Sequence, residues 1–104
     1  MQLKALEILA PAKDLSIGIA AIDCGADAVY MAGPGFGARV AAANSMEDVA
    51  EMVRYAHRFG ARVYLTLNTI IYEEELHRAR QILLQARDAG VDAVIVQDLG
   101  PVED

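Results

Sequence analysis

Apolar residues follow two patterns along this chain: short, nearly unbroken runs, and longer stretches with helical spacing. The runs cover residues 6–9, 28–32, 63–67 and 93–96. Each run has the length of a β-strand, and none shows the regular alternation of apolar and polar residues that is typical of a strand with one solvated face. We therefore predict four strands that are covered on both faces, as the strands of a parallel sheet are.

The stretches between the runs carry the signals of three helices. Ser45 is a good N-cap residue, and Asp48 three residues later suits an acidic capping box. Asp14 is the corresponding cap of the first helix, and the glutamates at 73–75 favour the N-terminus of the third. The apolar stripes at helical spacing are Leu15, Ile19 and Ile22 in the first helix, Val49, Met52, Val53 and Ala56 in the second, and Leu76, Ala79, Leu83 and Ala86 in the third.

A repeated turn joins each helix to the strand that follows it. Gly25, Gly60 and Gly90 each follow a helical stretch and precede an apolar run. Glycine at such a place ends a helix in the left-handed conformation that other residues avoid. A unit of about 30 residues that ends a helix and begins a strand is typical of the βα repeat. The predicted fold class is therefore α/β, a parallel β-α-β-α-β-α-β arrangement with right-handed crossovers in which residues 1–104 form a single domain.

Composition narrows the classes of function. Nine basic against fifteen acidic residues give a net charge of −6, which argues against direct DNA binding because neutralising phosphates needs a basic surface. The single cysteine excludes an intrachain disulfide and leaves no thiolate cluster for a metal. No apolar run approaches the roughly 20 residues of a membrane span. We expect a cytoplasmic protein with no membrane contact and no metal site in this chain.

Candidate functional residues follow from the fold class, because ligands of α/β sheets meet the loops after the carboxyl ends of the strands. The loop after the second strand contains Arg39, whose planar guanidinium suits a carboxylate or a phosphate, or else an ion pair. This loop continues to Asn44. Asn68 and Gln97 end the next two strands and either orient a polar substrate or bind loop backbone. Asp98 is an acid, a base, a partner of Arg39 or a helix cap.

A glycine-rich motif in the loop after the second strand is a weaker indication of function. Gly33, Gly35 and Ala38 match the G-x-G-x-x-A pattern of dinucleotide-binding loops, but a complete βα unit precedes them and Pro34 removes an amide donor. A loop shaped by glycine is the favoured interpretation.

Isolated reactive residues complete the survey. Cys24 is expected to be a small buried residue at the end of the first helix. His57 and His77 lie on helices among charged neighbours and are expected at the surface.

Six short segments follow one another along the chain: LEILAPA at 6–12, GADAVY at 25–30, FGAR at 36–39, YAH at 55–57, VYLTLNT at 63–69 and VIVQDLG at 94–100. In this order they resemble the N-terminal region of the collagenase-like peptidases, peptidase family U32. The resemblance covers nearly the whole chain up to Gly100.

The resemblance implies a TIM-type (β/α)8 barrel, of which four strands and three helices are half. It implies a peptidase, with members that look like tRNA or rRNA hydroxylation factors as the alternative. In full-length relatives, cysteines further along the chain are thought to hold an iron–sulfur cluster; no cofactor is implied for this chain. Family-typical positions coincide with Arg39, Asn44, Asn68, Gln97 and Asp98, which are therefore candidate substrate-binding residues without an assigned catalyst.

Three kinds of function remain open at this stage. The chain is the N-terminal part of a peptidase, or of an RNA-hydroxylation factor, that acts on peptide or RNA only as the full-length protein. Alternatively it is a non-catalytic half-barrel that forms a homo-oligomer or is covered by the remainder of the barrel, because exposed strand edges favour association. The third possibility is a small α/β domain that binds an anion near residues 33–39.

Overall fold

The computed structural model describes residues 7–34, 44–69 and 73–98, except for the side chains at 68–69, 73–76 and 97–98. Strands and helices alternate along the chain, as the α/β prediction requires. The elements are β1 (Leu9–Pro11), α1 (Leu15–Asp23), β2 (Ala28–Ala32), α2 (Met46–Arg58), β3 (Arg62–Thr69), α3 (Glu73–Ala89) and β4 (Ala93–Asp98).

The four strands form one parallel sheet in the order β1-β2-β3-β4. Consecutive strands are therefore neighbours, as in part of a β/α barrel. The predicted bounds hold for β2, and β3 and β4 extend beyond them. For β1 the prediction was wrong, because the strand pairs with β2 from Leu9 to Pro11 rather than spanning 6–9. Proline is tolerated there because β1 is an edge strand, where a missing amide hydrogen costs no ladder bond on the open side.

One face of the sheet packs against the helices and forms the core. Its largest fully buried residues, which lie on β2, β3 and α2, are Val29, Met31, Val49, Met52, Val63, Leu65 and Leu67. On β3 the alternate positions Tyr64 and Thr66 are only partly buried. Within the described residues the helices cover one face of the sheet, whereas the sequence predicts strands covered on both.

The helix signals that the described side chains can test are confirmed with one exception, and the side chain of Leu76 lies outside the described residues. The Asp14 side chain accepts a hydrogen bond from the Ile17 amide at 2.9 Å, and Ser45 Oγ accepts one from the Asp48 amide at 3.1 Å. All four residues of the α2 stripe are buried. On α3, however, Ile82 is buried and Leu83 is 40% exposed. In the described residues α3 has a helix neighbour only on its α2 side. Leu83, which follows Ile82 and points to a different side of the helix, therefore faces solvent.

The amino edge of the sheet, where the strands begin, is held together by a repeated aspartate. Gly25 and Gly90 have φ of 101° and 90°, and an aspartate follows each of them two residues later. Asp27 Oδ2 accepts from the Ile8 amide, and Asp92 Oδ2 accepts from the Val63 amide, both at 2.8 Å. Each carboxylate thus binds the start of the preceding strand.

His57 joins this arrangement, because its Nε2 lies 2.9 Å from Asp92 Oδ2. It is exposed, as expected, but it is paired. The polar groups of the amino edge therefore connect neighbouring strands of the fold. The opposite edge, where the strands end, is the edge at which α/β sheets bind ligands. Among the described helices, none combines the length and the apolar character needed to span a bilayer.

A tyrosine on α2 gives the fold a predictable response to alkali. The Tyr55 hydroxyl donates a hydrogen bond to Asp23 Oδ1, and this bond is the main reason why the pKa of Tyr55 lies above its ordinary value. Because the folded pKa is raised, the stabilisation is present below pH about 10 and is lost as the pH rises through the folded pKa. We expect the thermal midpoint of the wild type to approach that of Tyr55→Phe above that pH. A constant offset between the wild type and Tyr55→Phe across this pH range would contradict the assignment.

Candidate functional site

The carboxyl edge of the sheet, where β1 to β4 end, carries four of the five predicted site residues. β3 ends with Asn68 and Thr69, and β4 ends with Gln97 and Asp98. Asn44 lies just before α2, next to the end of β2. Arg39 lies outside the described residues.

The register of the sheet brings Asn68 and Gln97 together. Their Cα positions are partners in the β3–β4 ladder, and Thr69 and Asp98 are partners one position further on. Residues that pair in a parallel ladder belong to the same face, and successive residues alternate between faces. Asn68 and Gln97 therefore occupy positions of the face opposite the helices, whereas Asp98 occupies the alternate position. The two amide residues, which the sequence places at the ends of two strands, are thus partners in the ladder.

Asn44 has a structural role that the sequence did not reveal. Its side chain is 6% exposed, and its Nδ2 donates to the carbonyl oxygens of Ala32 at 2.9 Å and of Lys13 at 3.2 Å. The Asn44 backbone amide donates to the same Ala32 oxygen at 3.2 Å. A single buried amide thus connects the turn after β1, the end of β2 and the start of α2. Asn44 fixes the base of the loop after β2 at the carboxyl edge.

Packing explains the first glycine of the loop after β2. A Cβ atom on Gly33 would lie 3.0 Å from side-chain carbons of both Leu65 and Leu67, which are buried in the core. The Gly33 amide donates to the carbonyl oxygen of Thr66 at 3.0 Å. A side chain at position 33 would crowd these two leucines, so packing against β3 accounts for the glycine without the dinucleotide pattern. Gly35 and Ala38 lie outside the described residues.

The face of the sheet opposite the helices, here called the open face, combines aromatic, aliphatic and charged residues. Tyr30 and Tyr64 are register partners on β2 and β3, and Ile95 lies one strand further, paired with Thr66. Arg62 lies two residues before Tyr64. The Tyr64 side chain, chiefly through a hydrogen bond, raises the pKa of Arg62 above its ordinary value, and Glu7 adds to the effect. The open face therefore carries a stable positive charge near its amino edge.

The residues present do not fit an iron–sulfur cluster. Such clusters are usually held by several cysteine thiolates, and Cys24 is the single cysteine of the sequence. Cys24 is exposed, which corrects the expectation that it is buried, because the side chain follows the last turn of α1 where no element covers it in the described structure. It also lies at the amino edge, away from the strand ends. Within the described residues, no group of three histidine, cysteine or carboxylate side chains could hold a metal ion.

Comparison with known proteins identifies relatives of this chain. The model of peptidase family U32 matches residues 13–103. The 23S rRNA 5-hydroxycytidine C2501 synthase of Escherichia coli is 53% identical over 98 residues, which cover 94% of this chain and 15% of that protein. An uncharacterized protease of Methanocaldococcus jannaschii is 44% identical over 94% of this chain and 24% of its own length. The tRNA hydroxylation protein P1 of Bacillus subtilis is 38% identical over 91% of this chain and 23% of its own length.

These matches confirm the resemblance seen in the sequence. The chain spans between 15% and 24% of the length of these relatives. No solved structure matches it.

Proposed function

Because this chain belongs to peptidase family U32, we propose that it forms the first half of the barrel of a protein that supports RNA hydroxylation. The observation that carries the proposal is the 53% identity to the E. coli rRNA synthase over nearly the whole chain. The B. subtilis tRNA hydroxylation protein, at 38% identity, supports the same class of substrate. Action on ribosomal or transfer RNA would place the protein in the cytoplasm.

Within this proposal, the carboxyl edge binds and orients the nucleobase. Side-chain amides donate and accept hydrogen bonds, and the edges of an unpaired base offer both kinds of partner. Asn68 and Gln97, adjacent in the β3–β4 register, are the residues we assign to this contact. Arg39 is assigned to a phosphate and Asp98 to an exocyclic amino group. Asn44 acts indirectly, because its amide holds the base of the loop that contains Arg39.

The assignment is limited to binding and orientation. Hydroxylation of a base inserts an oxygen atom into a C–H bond, and we assign none of these residues to that step. With a net charge of −6, this chain is also a poor source of affinity for the RNA backbone, so most phosphate contacts must come from other parts of the full-length protein.

A chimaera tests the proposal. The matching segment of the E. coli synthase is replaced by this chain in a strain that lacks the endogenous gene, and 5-hydroxycytidine at C2501 is measured by mass spectrometry of the rRNA fragment. We expect the modification to be restored, because the replaced segment is similar along 94% of this chain. The matched control carries the corresponding segment of the M. jannaschii protease relative, and its level of modification should be lower. An unmodified fragment despite normal accumulation of the chimaera would contradict the proposal.

Proteolysis is the second candidate, favoured by the 44% identity to the protease relative. It was the first expectation from the sequence resemblance, and the comparisons support it less well than RNA hydroxylation. The full-length protein that contains this chain distinguishes the two, because a peptidase would release peptides from denatured collagen, whereas a hydroxylation factor would leave the collagen intact and modify the RNA.

A further inference from the structure

The open face continues below the two amide residues, Asn68 and Gln97, in regular rows. In the β3–β4 ladder Thr66 pairs with Ile95, two residues before the amide pair. Thr66 also pairs with Ala32 in the β2–β3 ladder. Alternate residues of a strand lie on the same face, about 6.6 Å apart along the strand. Thr66, Ile95 and Ala32 therefore form a row directly beneath the amide residues.

The open face carries no charge for some distance below this row. The next row of the described residues on β2 to β4 consists of Tyr30, Tyr64 and Ala93. The first charged position on this face of β3 is Arg62, six residues before Asn68, which is about 20 Å along a strand. A group that enters below the amide residues is therefore expected to be neutral, because a buried charge without a partner is costly. A nucleobase meets this condition, whereas a phosphate or a charged peptide side chain does not.

The row beneath the amide residues offers one polar and one apolar contact. Thr66 is partly buried, and its hydroxyl donates to the carbonyl oxygen of Met31 at 3.4 Å, which is long for such a bond. The hydroxyl can therefore exchange this partner for a polar group of a ligand. Ile95 is 44% exposed, so its side chain is available to pack against a ring.

We propose that Thr66 and Ile95 form the floor of the base-binding pocket and select a pyrimidine, the class of base with a single ring. The Thr66 hydroxyl binds the ring edge that reaches deepest, and the Ile95 side chain packs against the ring. The second ring of a purine would need the space that Ile95 fills above Tyr30 and Tyr64. This inference rests on the proposed function, because it concerns the same site and takes a base as the substrate.

The test measures, by fluorescence anisotropy, the affinity of the full-length protein that contains this chain for two labelled single-stranded RNAs. Both carry the sequence around the nucleotide that the E. coli synthase modifies, with either cytidine or adenosine at that position. We expect the unchanged protein to bind the cytidine RNA at least about 10-fold more tightly. Ile95→Ala should remove most of this preference, since a missing methylene group in a pocket changes discrimination by about 10–200-fold.

Val96→Ala is the matched control for Ile95→Ala. It shortens the neighbouring side chain, which is 51% exposed and belongs to the alternate face of β4, and should keep the preference for cytidine. The measured quantity is the ratio of two affinities of one protein preparation. Partial unfolding of a variant lowers the active fraction for both RNAs alike and leaves this ratio unchanged.

Two variants of Thr66 test the hydroxyl separately. Thr66→Val keeps the shape of the side chain and removes the hydroxyl, so the cytidine RNA should bind about 2- to 10-fold more weakly. Thr66→Ser retains the hydroxyl and should keep most of the affinity. Equal weakening by the two variants would overturn the role of the hydroxyl.

The outcomes separate this inference from the proposed function on which it rests. Failure of the unchanged protein to bind either RNA would overturn both. The same preference for cytidine in Ile95→Ala and in the unchanged protein, or equal affinity of the unchanged protein for both RNAs, would overturn the pyrimidine pocket alone, because binding of RNA would still support the proposed function.

Discussion

Replacing Asn44 with aspartate should destabilise the protein by about 3 kcal/mol or more at pH 7, because it places a buried carboxylate against two carbonyl oxygens. The asparagine amide donates to both oxygens, whereas an ionised aspartate can donate to neither. The position just before α2 favours a negative charge by no more than about 2 kcal/mol, which is too little to compensate. The free energy of unfolding, measured in urea at a fixed protein concentration, checks this result.

Acid should reverse part of the Asn44→Asp effect. In the folded state the pKa of the new carboxyl would lie above its value of about 3.9 in the unfolded chain. The variant should therefore approach the wild type as the pH falls towards 4 and lose stability as the pH rises through the folded pKa. Asn44→Ala is the matched control. It removes the donors without adding charge, should cost about 1–3 kcal/mol, and should show no such pH dependence. Wild-type stability of Asn44→Ala would contradict the claim that the amide holds these carbonyls.

Leu65→Ala should cost about 2–5 kcal/mol, the range for a large core side chain that leaves a cavity. Leu65 is fully buried at the centre of β3, between β2 and β4, where the helices cover it completely. Domains of this size have only about 5–15 kcal/mol of stability in total, so the variant should lose a large fraction of its stability. Urea unfolding followed by circular dichroism gives the value.

The same substitution at an exposed position is the control for Leu65→Ala. Leu84 is 43% exposed on α3, and Leu84→Ala should change the free energy of unfolding by less than about 1 kcal/mol. A cost for Leu65→Ala below that of Leu84→Ala would mean that the face of the sheet assigned to the core is wrong.

Local signals explain why most of the fold could be predicted from the sequence. Caps, helix-ending glycines and apolar stripes act within about one turn of chain, and Ser45, Gly60 and the α2 stripe behave as their local sequence indicates. Leu83 shows where this reasoning ends. Its spacing fits the stripe of α3, but whether it is buried depends on which helices lie beside α3, and periodicity does not contain that information.

The candidate site depended on contacts between distant parts of the chain. The choice of strand ends placed Asn68 and Gln97 correctly at the carboxyl edge, because the topology of a parallel sheet brings such ends together. The role of Asn44 could not be predicted, since its amide donates to Lys13, which is 31 residues away in the sequence. The roles of Asp27 and Asp92, each of which binds the start of the preceding strand, were also not predicted from the sequence. The repeated Gly-x-Asp at two of the three turns was the signal that could have revealed them.

The most direct test of the central claim is the level of 5-hydroxycytidine in rRNA when the two amide residues of the carboxyl edge are changed within the chimaera. With Asn68→Ala and Gln97→Ala together, we expect at least about a 30-fold loss of the modification rate, as each amide contact to a base contributes about 1–3 kcal/mol. The chimaera with Arg54→Ala, an exposed residue of α2 paired with Glu51, should keep full modification. Full modification by the Asn68→Ala, Gln97→Ala chimaera, at the same protein level, would contradict the claim that the strand ends of this chain bind the substrate base.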